Sequence, residues 1–291
     1  MKIAKFYSLL LFGVCVCGFM TSCGDDDDSS SSGSTDGTAH LQYWVTKSGS
    51  VVYDSTGIER NSKGEIVSVQ SFYNNGTSFV NTQKCSLLYS NGSVQLSVLK
   101  GSGSSASSYT LTCALDAANN RITSMYGYVD GYANYDTMSY SAQGFLTSIS
   151  TGRYSGETNL TELKTHNSEI YSYNASNLLT SYSKKYDFGQ SISFGAEYTY
   201  TDSIVTSPIA NKGCIWLSYF PEENVLGSTG LFGKPMAYLP IKIVYRNPGV
   251  VETSVYTWKI DNNGYPAWCD VSTFSSMNKT PATTRIIYKW N

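Results

Sequence analysis

Short runs in which apolar and polar residues alternate recur along most of the chain, each introduced by a turn with Gly or Asn at its tightest point. Val94, Leu96 and Val98 alternate against Ser93, Gln95 and Ser97, and Ile192, Phe194, Ala196, Tyr198 and Tyr200 against Ser193, Gly195, Glu197, Thr199 and Thr201. A period of two with one apolar face predicts strands of an antiparallel sheet solvated on one side. The turns are Asn61–Ile66, Tyr89–Val94, Ala118–Ile122, Ser141–Leu146, Asn174–Leu179 and Asp261–Pro266. Their Gly/Asn positions 64, 92, 120, 144 and 177 lie 28, 28, 24 and 33 residues apart, the mark of one repeated supersecondary unit. Gly and Asn stand there because tight hairpin turns need positive φ. Asp130-Gly131 signals a further hairpin, the Gly101–Ser108 run reads as a long hairpin loop, and no segment after the N-terminal region has helical periodicity. The predicted fold is all-β: an antiparallel up-and-down meander of repeated hairpins, curled or closed like a barrel.

The pattern lapses in a Pro/Gly-rich segment, 208–250, which contains Pro208, Pro221, Pro235, Pro240 and Pro248. Proline is excluded from central sheet positions, so this segment is expected to build loops over a sheet edge or a barrel mouth. A membrane-spanning barrel is not expected. Such barrels need strands of about 9–11 residues with an outward apolar band, whereas many strands here read as shorter and need their apolar face for a core.

The N-terminal pattern is of another kind. Lys2 and Lys5 precede an apolar run from Phe6 to Met20 and then Thr21-Ser22-Cys23. That run is too short to span a bilayer and reads as a signal segment. The Met20–Cys23 tetrad resembles the lipobox of bacterial lipoproteins, which implies removal of residues 1–22 and acylation of Cys23. Gly24 and Asp25, Asp26, Asp27 and Asp28 resemble the acidic signal that exports Bacteroidetes-type lipoproteins to the outer face of the outer membrane. The expected organisation is a signal peptide at 1–22, a lipidated acidic and Ser-rich tether at 23–39, and one domain at 40–291.

Setting aside Lys2, Lys5 and the five tether aspartates leaves 18 basic against 17 acidic residues, so the domain is nearly neutral and unsuited to nucleic acid. Cys85, Cys113, Cys214 and Cys269 show no zinc spacing; Cys85 and Cys113 lie in phase with apolar neighbours, which reads as buried thiols, and an oxidising envelope would also permit disulfides. Only two histidines are present, His40 and His166, and neither has a second ligand at metal spacing, so no metal and no cofactor are expected. There is no G-x-S-x-G elbow and no phosphate-binding loop. A two-carboxylate glycosidase needs only two acids brought together in space, with Glu197 as the first candidate and Glu162, Glu169 or Glu252 as partner. The commoner role for each is a charged residue on the solvated face.

Binding candidates come from the aromatics, 24 Tyr and five Trp. Tyr198, Tyr200 and Trp258 are in phase with apolar neighbours and read as core. Trp216 and Tyr219 in the proline-rich segment, and Trp268 after a hairpin, are the candidates for ligand contact. Asp54-Ser55-Thr56, Asp136-Thr137-Met138 and Asp202-Ser203-Ile204 resemble the three-residue O-glycosylation acceptor of Bacteroidetes envelope proteins, which makes Ser55, Thr137 and Ser203 candidate modification sites.

The tyrosine-rich hairpins loosely resemble YD-type repeats. More closely, the chain resembles a Bacteroidetes lipoprotein family of unknown function whose domain has been described as porin-like. The residues that carry this are the lipobox, the hairpins from Gly64 to Asn177, the block Gly230–Pro235 leading to Leu239-Pro240, and Tyr256–Pro266. The resemblance implies a barrel-like fold and supplies no activity to carry over, so it leaves function open. The expectation is a lipid-anchored envelope protein of the outer membrane, facing the cell exterior, that binds a glycan or protein without catalysis. A structural role, or a carbohydrate-active enzyme, is the alternative.

Overall fold

The computed structural model describes residues 40–101, 106–116, 118, 120–129, 131–155, 163–187, 191–200, 229–234 and 238–291. Sixteen strands follow one another: β1 (Leu41–Ser48), β2 (Val51–Arg60), β3 (Ile66–Asn74), β4 (Phe79–Ser90), β5 (Ser93–Lys100), β6 (Ser107–Asp116), β7 (Arg121–Val129), β8 (Tyr132–Tyr140), β9 (Leu146–Ser155), β10 (Leu163–Tyr173), β11 (Leu179–Asp187), β12 (Ser191–Thr199), β13 (Lys242–Asn247), β14 (Val250–Ile260), β15 (Pro266–Ser275) and β16 (Asn278–Trp290). Each pairs antiparallel with its neighbours in sequence, and β1 pairs with β16 to close the barrel. The meander expected from the hairpin pattern is therefore present, and it is closed. Two readings change. Most strands have nine residues or more, so strand length does not argue against a spanning barrel. The segment 208–250 is also not irregular throughout, because Lys242–Asn247 forms β13 between β12 and β14.

The buried face points into the barrel. On β5, Val94, Leu96 and Val98 are at most 1% exposed, while Gln95, Ser97 and Leu99 face outward. Cross-strand partners share a face, so the inward set continues round the wall in rows such as Leu87, Leu96 and Leu111. These residues merge into one core with Cys85, Cys113, Ile122, Leu146, Ile149 and Ile243. Cys85, Cys113 and Cys269 are buried thiols, and Cys214 lies outside the described residues.

Successive hairpins alternate between two ends. One end, here the plug end, carries the turns after β2, β4, β6, β8, β10 and β14, the end of β12 and start of β13, and both ends of the barrel chain; the other is the mouth. Four plug-end turns share one construction. In Asn61–Glu65, Ser141–Phe145, Asn174–Leu178 and Asp261–Tyr265 the first residue's N–H donates to the fifth residue's carbonyl and the fourth N–H donates to the first carbonyl. The side-chain oxygen of the first residue accepts the fifth N–H. The fourth residue is Gly64, Gly144, Asn177 or Gly264, each at positive φ. The short polar side chain thus builds the turn and the fourth residue permits it.

Just past these turns the ladder shifts register by one residue. Past three of them, and past the β6–β7 turn, where the ladder shifts in the same way, a side chain from the neighbouring strand caps a carbonyl. Tyr89, Tyr140 and Tyr173 hydroxyls donate to the carbonyls of Ile66, Ile122 and Leu146, and Trp290 Nε1 donates to that of Pro266. This recurrence accounts for part of the tyrosine richness: the rings fill the plug end of the core while their polar tips satisfy buried carbonyls.

Residues 229–234 and 238–240 close that end. Leu231 and Phe232 are 2% and 0% exposed and belong to the main core, and Leu239 joins a second cluster with Trp258, Cys269 and Tyr288. The segment is held by Ile122 N–H donating to the Leu231 carbonyl, Lys234 N–H to the Gly144 carbonyl, and Trp258 Nε1 to the Pro240 carbonyl. The expected cover over a barrel opening is thus built by its Gly230–Lys234 and Leu239-Pro240 parts. Gly233 has φ +84, and a Cβ there would collide with the Gly144 carbonyl oxygen.

Gly233→Ala is expected to lower the unfolding free energy by about 2 kcal/mol or more, and Phe232→Ala by about 3–5 kcal/mol, in urea denaturation. Gly76→Ala, at an exposed mouth turn with φ +92 and nothing within 4 Å, is the comparison and should cost only backbone strain, about 1 kcal/mol.

Candidate functional site

The lumen wall changes character away from the plug. Where β8 to β11 pass the middle of the barrel, inward positions carry charge. Glu169 and Lys184 are cross-strand partners, 1% and 4% exposed, and form an ion pair. The second carboxylate oxygen of Glu169 accepts the hydroxyls of Tyr171 at 2.9 Å and Tyr182 at 3.1 Å. The buried carboxylate thus has a cation and two donors, the arrangement that makes a buried charge tolerable.

One row toward the mouth, Asp136, Thr151 and Asn167 lie side by side on β8, β9 and β10, and the next row holds Asn134, Arg153 and Thr165. Arg153 Nε donates to Asn134 Oδ1 at 3.0 Å, and its guanidinium lies 5.6 Å from the Tyr132 ring centre. Asp136 Oδ1, Asn167 Oδ1 and Thr165 Oγ1 are buried without a hydrogen-bond partner. Burial raises the Asp136 carboxyl to about 6, opposed by the Thr151 hydroxyl, and burial alone raises Asp54, on the inward face of β2, to about 6 as well. The wall therefore offers hydrogen-bond acceptors and two carboxyls that hold a proton more tightly than usual. Within it Glu169 is held by Lys184 and two tyrosines, and His40 and His166 lie outside the cluster. Among the described residues no group of three or more His, Cys, Asp or Glu could hold a metal.

The candidates from sequence fall elsewhere. Glu197 faces outward on β12, where Arg246 grips both its oxygens at 3.1 Å and holds its carboxyl below the usual range. It stands on the opposite side of the wall from Glu169, so those two acids do not form a pair; Glu162 lies outside the described residues. His166 Nε2 lies 2.8 Å from Ser150 Oγ on the exposed outer wall, with Asp187 opposite His166 across the ladder. Ladder pairing there occupies the backbone N–H groups an oxyanion would need.

Trp268 is on the outer face of β15. The guanidinium of Arg285 sits 4.1 Å above its ring and is itself fixed by Asp270 at 2.6 and 2.7 Å, so one aromatic face is already covered. Ser55 lies on the outer wall between Val45 and Phe72, and Thr137 is exposed between Ser124 and Ser150. Cys23, Asp25, Asp26, Asp27, Asp28, Ser203, Trp216 and Tyr219 lie outside the described residues. Tyr198 and Trp258 are core, as their phase predicts.

Glu169, expected on the solvated face, is buried instead, and the pattern carries a signal for this. Lys184 is in phase with Tyr182 and Tyr186, and Glu169 with Asn167 and Tyr171. A charge on the aromatic face of a period-two strand is a charge that the sheet buries.

No family model matches the chain, and no curated protein matches it in sequence. Solved structures do. A porin-like protein from Bacteroides uniformis ATCC 8492 superposes with a TM-score of 0.60 at 14% identity, covering 86% of this chain and 96% of that one. A porin-like protein from Bacteroides vulgatus ATCC 8482 gives 0.57 at 11% identity, covering 87% and 99%. The chain has the fold of these porin-like barrels. At such identities the likeness extends to architecture, and the lumen residues described above belong to this chain.

Lys184→Met would leave Glu169 buried without its cation and should cost about 3–5 kcal/mol, with much of the loss recovered in the Lys184→Met/Glu169→Gln double variant. The pH dependence has a defined sign. The folded Asp136 carboxyl titrates near 6 against 3.8 for an unperturbed one, so the folded state binds its proton more tightly and this contribution to stability rises as pH falls from about 6 to about 4. Asp136→Asn should therefore be more stable than wild type at pH 7, by up to about 3 kcal/mol, with the difference shrinking to near zero by about pH 4 in urea titrations.

Proposed function

We propose that this chain is a lipid-anchored component of the outer membrane, facing the cell exterior, whose barrel is a non-catalytic binding module for a glycan or protein. The observation that carries this reading is the polarity of the wall. A barrel that spans a bilayer shows lipid an apolar band about 25 Å tall and keeps polar residues inside. Here the plug half of the lumen is an apolar core, while the outer wall carries Ser and Thr together with Lys84, His166, Lys185 and the ion pairs Arg246–Glu197 and Arg285–Asp270. A barrel of this polarity reaches a membrane by attachment. Cys23, in its lipobox-like setting, is the residue proposed to supply the attachment, and Asp25–Asp28 the export signal. The porin-like Bacteroides neighbours support an outer-membrane setting.

The binding role rests on the lumen. Glu169 is paired with Lys184 and hydrogen-bonded by two tyrosines, the unpartnered oxygens Asp136 Oδ1, Thr165 Oγ1 and Asn167 Oδ1 lie toward the mouth, and Phe232 and Leu231 fill the other end. Such a wall suits a ligand that donates hydrogen bonds, as hydroxyl groups do.

Labelling with a fatty-acid analogue in a Bacteroidetes host should tag the wild-type protein and leave Cys23→Ala untagged and shed from the membrane fraction. Protease added to intact cells should remove a C-terminal tag. A tag protected until lysis would overturn the exterior orientation, and an untagged wild type would overturn the lipid anchor.

A further inference from the structure

We infer that the mouth of the barrel rests in the surface of a lipid bilayer. Most of the large apolar side chains that the described residues expose are gathered at this end. Phe79, Leu99, Tyr128, Leu163, Val251 and Phe274 are between 39% and 51% exposed and lie within three residues of a mouth turn, on β4, β5, β7, β10, β14 and β15. They point out from the barrel. Leu99 is out of phase with buried Val94, Leu96 and Val98, Tyr128 with buried Met125 and Gly127, and Phe274 pairs with Thr253, the neighbour of buried Ser254. Met277, at the turn between β15 and β16, is 77% exposed.

The direction of these side chains selects the occupant. A second barrel stacked mouth to mouth would meet the ends of the strands, and a globular partner would meet one side. A girdle that faces outward on hairpins around the circumference can be covered everywhere at once only by a medium that surrounds it, and a membrane interface is such a medium. Its height agrees. Below the girdle the wall turns to Ser97 and Thr110 on β5 and β6, to His166 on β10 and to Ser272 on β15, where Val255 is its apolar neighbour, so the continuous apolar layer is about one side-chain repeat, roughly 7 Å, tall. That is far short of a spanning band and matches the about 5–10 Å to which interfacial elements sink. The aromatic share of the girdle also suits the headgroup level. On β11 the outward residues near the mouth are the exposed pair Lys185 and Asp187, 3.4 Å apart, a pair that headgroups tolerate.

Chain length is compatible with this placement. β1 starts at the plug end, and the sixteen residues 24–39 can reach at most about 55 Å, while a wall of about ten tilted residues is about 25 Å tall. Acyl chains on Cys23 and the girdle can therefore share one leaflet. This last step rests on the proposed lipidation; the girdle does not.

Residues 40–291 contain all sixteen strands and the closing β1–β16 ladder, so this domain can be tested without Cys23. It should co-sediment with vesicles of phosphatidylethanolamine and phosphatidylglycerol. The Phe79→Ser/Tyr128→Ser/Phe274→Ser variant, shown by thermal unfolding to be folded, should bind at least about tenfold more weakly. Over the wild-type background, brominated lipid should quench Phe79→Trp and leave Ile170→Trp, on the middle of the outer wall, unquenched. Absence of sedimentation, undiminished binding by the triple variant, or equal quenching at position 170 would overturn the inference. So would a dimer in light scattering that the triple variant loses in place of vesicle binding. Because the domain lacks Cys23, these failures would leave the lipid anchor standing, and an unlabelled Cys23 would leave the girdle standing.

Discussion

The pairing of β1 with β16 is the constraint on which the rest depends. Until Trp44 meets Tyr288 and Thr46 meets Ile286, the meander is an open sheet with two long edges and an apolar face that nothing covers. Closure removes both edges and turns that face inward all at once. It also fixes the role of every other residue, because a period-two strand in a closed wall has one side in the lumen and one outside. A one-residue slip would put Val94, Leu96 and Val98 into solvent and Gln95 and Ser97 into the core.

A wall of sixteen strands encloses more space than short side chains can fill, and the two ends solve this differently. At the plug end residues 229–234 and 238–240 fill the space, with Leu231, Phe232 and Leu239 in the core and the backbone of Leu231 and Lys234 tied to Ile122 and Gly144. Tyr89, Tyr140, Tyr173 and Trp290 reinforce this end by capping carbonyls freed where the ladder shifts register. Toward the mouth the space is lined by Asp54, Asp136, Arg153, Glu169 and Lys184. There the core gives way to a polar wall whose charges are largely matched within it.

Among the described residues the outer wall carries charged pairs, and most of the exposed large apolar side chains lie near the mouth. In the proposed reading, the charged pairs keep lipid from the whole wall, and the apolar layer at the mouth admits it around that layer. A porin-like architecture therefore need not carry a porin's relation to the membrane. Strand order and closure come from backbone pairing, which is indifferent to side chains, whereas the choice of solvent on each face is written in the alternation.

Much of this was legible in the residues alone. Alternation with Gly or Asn turns at Gly64, Gly92, Asn120, Gly144 and Asn177 determined an antiparallel meander, its register and its apolar face, because turn geometry and a period of two are local properties. The phase of Tyr198 and Trp258 placed them in the core for the same reason. The strand within 242–247, the site formed by Asp136, Thr151 and Asn167, the burial of Glu169 against Lys184, and the separation of Glu197 from Glu169 were decided by the tertiary structure. Each depends on which strands become neighbours and which face turns inward once β1 meets β16, and no local pattern contains the closure of a ring.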